Sequence, residues 1–344
     1  MQALRACFGR ARFHIAAMVT ANDLMTSFGQ RGKRYLWTDA FAVCNYLGLG
    51  RTDEALALVD RVHHELGRNR ADDGRHGWIS GLSEAEGEAH PTLGGLRIGK
   101  PLPERSAGEP IDDRLEWDRD GQYFHYLTKW MHALARVARV TGDRKYLVWA
   151  RELAETAFRR FVDGRRMYWK MSIDLMRPQV ASMGHHDPLD GYVTSLELEL
   201  PELAAEYRTM IDPSGLATGD PLGIGGLLVD AHRLARLDRD RPLREALLAA
   251  ARVGLQHYVT VPDLRRSAEH RLAFRELGLA IGLATDHGLA PFAPLRAAIE
   301  SFWLDEAHRS SRTYRAHQDI NDVMLATSLA PDGFLVTRAA IESS

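Results

Sequence analysis

Five stretches of the chain, taken together, bring carboxylates, histidines and arginines alongside aromatic rings. They are Tyr35 to Asp39, Trp117 to His125, Met183 to Tyr192, Glu269 to Glu276 and Tyr314 to Asp322. Such a mixture suits a sugar: the rings stack on its apolar faces, and the polar groups bind its hydroxyls. Glycosidic hydrolysis needs a carboxylic acid to protonate the leaving oxygen and a second carboxylate to activate water or attack directly. Asp118, Asp190, Asp39, Glu276 and Asp322 are the candidates for those roles. Trp37, Trp117, Asp120, Tyr123, His125, His186, Tyr192, His270, Arg271, His317 and Asp319 are the candidate substrate contacts. A general acid needs a raised pKa, and nearby aromatics and a second acid both push it upward. Asp118, beside Trp117, is therefore the first choice for the acid. Asp190 is the first choice for its partner, because it falls inside its helix and is not needed as a cap. An isomerase would instead exchange a proton through histidines, which His125, His186, His270 and His317 could supply.

Each of these residues also has an ordinary explanation. Asp and Asn ahead of a helix are usually caps, and Asp187 before Pro188 is a common helix entry. Asp118, Arg119 and Asp120 can form a solvated charge cluster, although Trp117 argues for packing there. Trp37 and Tyr123 are equally suited to a core. Asp319 and Asp322 lie three apart, so that one can cap while the other faces inward. His63-His64 is expected on the solvent face of an outer helix. His185-His186-Asp187 lacks an accompanying His-x-x-x-His or Cys-x-x-Cys, so no metal is expected. Gly223-Ile224-Gly225-Gly226 has no preceding strand, reads as close helix packing and calls for no nucleotide cofactor.

The elements that must position these groups are helices. From Tyr123 to Val140 the apolar residues recur every three or four positions, which places them on one face. Gly142 and Asp143 then close that helix and cap the next, which runs to Phe161. Amphipathic helices joined by so tight a turn pack antiparallel. The same unit recurs at Thr38 to Leu49 with Asp53 to Leu66, at Gly223 to Leu237 with Pro242 to Tyr258, and at Ser267 to Thr285 with Pro291 to Ala307 across Asp286-His287-Gly288. Single helices are expected from about Leu189 to Tyr207, Ile320 to Leu329 and Ala11 to Phe28. Arg166 to Ile173 is the best strand candidate and suggests a small hairpin. Asn69 to Arg119 is rich in Gly, Pro, Asp and Glu without sustained periodicity, and so long a connection is usually functional or disordered. Trp78, Ile79 and Trp117 argue that parts of it pack down.

Composition narrows the function classes. The chain has 344 residues, 45% hydrophobic and 26% charged, with a formal net charge of -2. A nucleic-acid binder would carry a basic excess or stripe, so no nucleic-acid partner is expected. No apolar run reaches the length of a membrane span, and Phe13 to Val19 contains His14 and lacks a small-residue cleavage site. The two cysteines, Cys7 and Cys44, have no metal-ligand spacing and read as small buried residues. Together these predict a soluble, cytoplasmic protein with a small saccharide as its partner and no cofactor.

Three helical arrangements compete: a solenoid of the tetratricopeptide type, an irregular bundle, and a closed ring of hairpins. Gly50 to Leu56 fits the first, but the spacing of the units is irregular. The polar clusters fall ahead of the first helix in each pair and not the second. In a ring those ends all lie on one side, so the clusters would converge on one cavity. The expectation is an all-α, single-domain α/α barrel over residues 1–344, with a minor β fringe and a long inserted loop at about 69–119. The hairpin phrase Val140 to Leu147, continued to Phe161, resembles a motif of the six-hairpin glycosidase superfamily. The placement of Trp37-Thr38-Asp39, Trp117-Asp118 and the His/Asp cluster ahead of inner helices is similar to that superfamily too. The resemblance implies an (α/α)6 barrel, in a group that includes inverting hydrolases, unsaturated glucuronyl hydrolases, polysaccharide lyases and, in a related barrel, sugar 2-epimerases. A glycosidase-like enzyme is the leading expectation. A sugar epimerase and a non-enzymatic helical scaffold are the alternatives.

Overall fold

A computed structural model describes residues 2–180, 182–260, 262–285 and 289–336. They are predominantly helical. Twelve helices have eight residues or more: α1 (Gln2–Gly29), α2 (Leu36–Gly48), α3 (Thr52–Leu66), α4 (Phe124–Thr141), α5 (Lys145–Phe161), α6 (Asp187–Glu197), α7 (Pro201–Arg208), α8 (Pro221–Leu237), α9 (Arg241–Thr260), α10 (Ala273–Leu283), α11 (Ala293–Leu304) and α12 (Gln318–Leu329). None of the described helices is long and apolar enough to cross a membrane. The chain forms two compact units. One is built from Met1–Arg31, Asn45–Arg51 and Pro213–Thr337; the other contains Gly32–Cys44 and Thr52–Asp212.

In the second unit, α4 and α5 form the expected hairpin. Gly142 sits at φ 73, in the left-handed region, and returns its N–H to Ala138. The Asp143 carboxylate accepts the N–H of Lys145 at 3.0 Å. The first helices of successive pairs, α4 and α6, pack side by side. The helix expected from Leu189 to Tyr207 is instead two, α6 and α7. Glu199 takes φ 59 and Pro201 opens α7. Proline has no N–H to continue the ladder and crowds the carbonyl four residues back, so the helical periodicity does not carry across it. Gly191 of α6 is a close approach, since a Cβ there would stand 2.7 Å from the Tyr207 ring.

The strand candidate splits between two small sheets. Val162–Asp163 (β2) pairs with Arg166–Met167 (β3), while Gln122–Tyr123 (β1), Lys170–Met171 (β4) and Pro178–Val180 (β5) form a three-stranded sheet in the order β1-β4-β5. The 69–119 connection is ordered by burial of Trp78, Leu96 and Ile98, by a capping box at Ser83 and Glu86 and by bridges from Arg68 to Trp78 and Leu102 to Arg119. Two expectations are corrected here. Trp117 does not pack down; it is 59% exposed. His63 does not face solvent; it is buried and accepts the Trp130 indole N–H at 3.1 Å.

In the first unit, α8 packs on α9 and α10, α10 on α11 and α12, and α1 on α12. The glycine-rich start of α8 does serve close packing: a Cβ on Gly225 would stand 2.2 Å from the carbonyl oxygen of Gly278. Cys44 is buried. The Cys7 side chain and the Asp286-His287-Gly288 turn lie outside the described residues.

Candidate functional site

Of the aromatic residues named from the sequence, Trp37, Trp117, Tyr123 and His125 meet at the start of α4. Strand β1 delivers the chain into that helix, and its pairing with β4 sets Tyr123 opposite Lys170. The Phe124 N–H donates to the Trp169 carbonyl at 3.0 Å, so Trp169 lies beside Tyr123. Gln122 anchors the strand: its amide donates to Gly94 and Ile173 and accepts from Leu96. The Tyr123 and Trp169 rings stack 4.8 Å apart and 7° from parallel. His125 lies 5.7 Å from Tyr123 and 12° from its plane. Trp117 meets Trp169 edge to face at 5.6 Å, Tyr126 meets His125 at 4.6 Å, and Trp37 lies 6.5 Å from Tyr126. Tyr123 and Trp37 are buried, whereas Trp169, His125 and Tyr126 are half-buried and Trp117 is open to solvent. The cluster therefore has a fixed floor and an accessible rim. Offset and edge-to-face pairs are the geometries that ring quadrupoles favour.

Cations surround this surface. Lys100 Nζ lies 5.4 Å from the Tyr35 ring, and Lys170 Nζ lies 5.5 Å from the Tyr123 ring. The Tyr35 and Tyr126 hydroxyls share a hydrogen bond of 2.7 Å. Burial pushes the Tyr35 hydroxyl up to about 12. Burial lowers His125 to about 4; Asp190 opposes that shift and Lys129 adds to it. His125 is thus a neutral imidazole near neutral pH. Lys129 donates to Asp190 at 2.8 Å, which joins the start of α6 to α4.

The acids differ in their surroundings. Asp187 is buried, and its carboxylate accepts the Gly184 N–H at 3.0 Å. Burial, reinforced by Asp190, raises it to about 7. Asp190, three residues on and half-buried, carries the ion pair with Lys129. Two neighbouring carboxyls with different environments are a recurrent acid/base arrangement. Asp39 is also buried and raised to about 7 by desolvation, although Arg34 opposes this. Both of its oxygens are engaged, by Arg34 at 3.0 Å and by the Tyr35 N–H at 2.9 Å. Asp120 is buried and accepts from Arg97 at 2.5 Å, Arg70 at 3.3 Å and Gly99 at 3.0 Å. That network ties the 69–119 connection together and leaves Asp120 little capacity for a ligand. Asp118, the first choice for the acid, is solvent-exposed. Tyr192 is buried, and His186 lies beside His185 with ring centroids 4.4 Å apart.

The remaining candidates lie in the other unit. Glu276 is buried, held bidentately by Arg271 at 2.8 and 2.6 Å and by the Trp303 indole at 2.8 Å. Arg271 in turn lies 3.7 Å from the Phe302 ring. Asp322 accepts from Arg31 at 2.8 Å and from the Tyr314 hydroxyl at 2.9 Å, while Asp319 pairs with the same Arg31. Glu276, Arg271 and Asp322 are therefore consumed by buried structural networks. His270 and His317 are exposed; His270 pairs with the Ser267 hydroxyl, and His317 meets the Phe274 ring edge.

A cavity of about 410 Å³ lies elsewhere in the second unit, lined by Arg70, Arg75, Arg177, Asp73, Glu104 and Asp174 among others. Its charges are largely paired with one another, Arg75 alone bridging Asp73, Glu104 and Asp174, and it contains no aromatic ring. Sequence reading did not single out Trp169, Tyr126 or the three lysines, and named Tyr35 only as the start of a polar cluster. The one signal for Trp169 was its place in the strand candidate, which fixed no partner. Among the described residues no His, Cys, Asp and Glu are grouped as a metal ion requires. No protein-family model matches the chain, and no curated protein is significantly similar to it.

Proposed function

We propose that this protein is a carbohydrate-active enzyme that hydrolyses a small saccharide at the Trp117–Trp169–Tyr123–His125 surface. The supporting observation is the half-exposed aromatic surface, with its buried floor, joined through Lys129 to a pair of carboxyls in different environments. Stacked rings offer the apolar face of a pyranose a rigid partner, and Lys100, Lys129 and Asp118 would meet its hydroxyls. Asp187, whose carboxyl holds its proton near neutral pH, takes the role of proton donor. Asp190 takes the role of base or nucleophile, and Asp118 orients the sugar. The acid role thus moves from Asp118 to Asp187, because burial rather than a neighbouring ring is what raises a carboxyl. One further observation favours a second reading: the neutral His125 could move a proton itself, as an epimerase requires.

The (α/α)6 barrel is part of the same proposal. It is supported by the side-by-side packing of α4 with α6 in one unit, and of α8 with α10 and α10 with α12 in the other. The test is a tryptophan-fluorescence titration against a panel of neutral and acidic mono- and oligosaccharides, followed by assays for reducing-sugar release and for epimerisation. The expected result is binding that Trp117→Ala and Trp169→Ala each weaken about tenfold or more, with turnover lost in Asp190→Asn. Absence of binding to every sugar at millimolar concentration would remove the proposal. Loss of turnover in His125→Gln with Asp190→Asn fully active would select the epimerase.

A further inference from the structure

Lys170 is fully buried, and its ammonium makes three hydrogen bonds: to the Glu116 carbonyl at 2.7 Å, to the Glu116 carboxylate at 2.7 Å and to the Arg119 carbonyl at 3.0 Å. Lysine has three donors, so all are used. The two carbonyls belong to the residues on either side of Trp117-Asp118. One cation therefore closes the base of a two-residue tip whose own side chains are exposed. Lys170 also follows Trp169 directly in the chain, so the same segment carries one indole and clamps the loop that bears the other. Nearby contacts complete the frame. Arg105 reaches the second Glu116 oxygen at 3.3 Å, and the Leu102 N–H donates to the Asp118 carbonyl at 3.0 Å. A buried ammonium is costly to desolvate, and its ion pair is weak evidence for stability as such. Its specific effect here is geometric, because only a multi-donor cation can satisfy three converging oxygens.

We propose that Lys170 is a positioning residue that presets the Trp117–Trp169 pair as the outer wall of the site. The shape of this wall is independent of what binds there; its consequence for saccharide affinity rests on the proposed function. Two indoles 5.6 Å apart and 61° between planes couple excitonically, so circular dichroism of the ligand-free protein reports the pair directly. The reference is the couplet lost on Trp117→Phe. Lys170→Met should lose the same couplet, keep its helical signal and weaken saccharide binding as much as Trp117→Ala does. Glu116→Gln keeps both carbonyl acceptors and should lose only part of it. A residue acting on stability alone would lower the melting temperature and leave the couplet intact below it. A folded Lys170→Met with the full couplet overturns the proposal. If Lys170→Met does not fold, Glu116→Gln decides: partial loss supports the clamp, and an unchanged couplet overturns it. If no saccharide binds the wild type, the functional reading fails while the couplet still judges the clamp.

Discussion

Asp187→Asn should make the protein more stable and less active at once. The carboxyl of Asp187 ordinarily titrates at 3.8 and does so at about 7 in the fold, because burial and the nearby Asp190 disfavour its charge. Between those two values the unfolded chain has released its proton and the folded chain has kept it. The folded state then binds more protons, so this group's contribution to stability falls as pH rises through that window and levels off above about 7. At about 1.4 kcal/mol per pH unit, ionising Asp187 inside the fold costs on the order of 4 kcal/mol as an upper bound. Asparagine is nearly isosteric, can still accept the Gly184 N–H and cannot ionise. The variant should therefore match the wild type near pH 4 and exceed it progressively towards pH 8. The assay is urea unfolding of both proteins at several pH values. Asp39 shifts in the same direction but is common to both, so the difference isolates Asp187. If Asp187 donates the proton, turnover should fall by roughly 10²–10⁴. A difference in stability independent of pH would refute the reasoning about its environment. Full activity with the expected stability profile would refute only its catalytic role.

Three further outcomes follow from other parts of the structure. Trp117→Ala removes a ring that is 59% exposed, so the melting temperature should hardly move while saccharide affinity drops about tenfold or more, as calorimetry or fluorescence titration would show. Arg271→Ala leaves the Glu276 carboxylate buried beside Trp303 without its ion-pair partner, and should cost about 3–5 kcal/mol in chemical denaturation. Burial lowers His63 to about 3, the opposite sign to Asp187: below about pH 6.5 the unfolded chain takes up a proton that the folded one refuses. His63→Gln should flatten the loss of stability on acidification, read by melting temperature between pH 7 and 5.

The sequence by itself determined the helical class and hairpins such as α4–α5 with the turn at Gly142. Those features depend on residues near in sequence: the three-and-four spacing from Tyr123 to Val140, and Gly142 in the left-handed turn that follows. It also located Tyr123, His125 and Trp117, because they share one short stretch. Periodicity misled across Pro201, where the apolar pattern continues but the backbone cannot. What only tertiary structure decided was which groups have partners. Trp169 reaches Tyr123 through the pairing of β1 with β4, some fifty residues apart, and no local pattern encodes that register. Burial likewise belongs to the assembled unit. Asp118 and Asp187 look alike as acids ahead of helices, yet one stands in water and the other beneath Gly184, and desolvation is what separates their chemistry. Glu276 and Asp322 look like free acids in the chain, and only folding brings Arg271 and Trp303 to the first, and Arg31 and Tyr314 to the second.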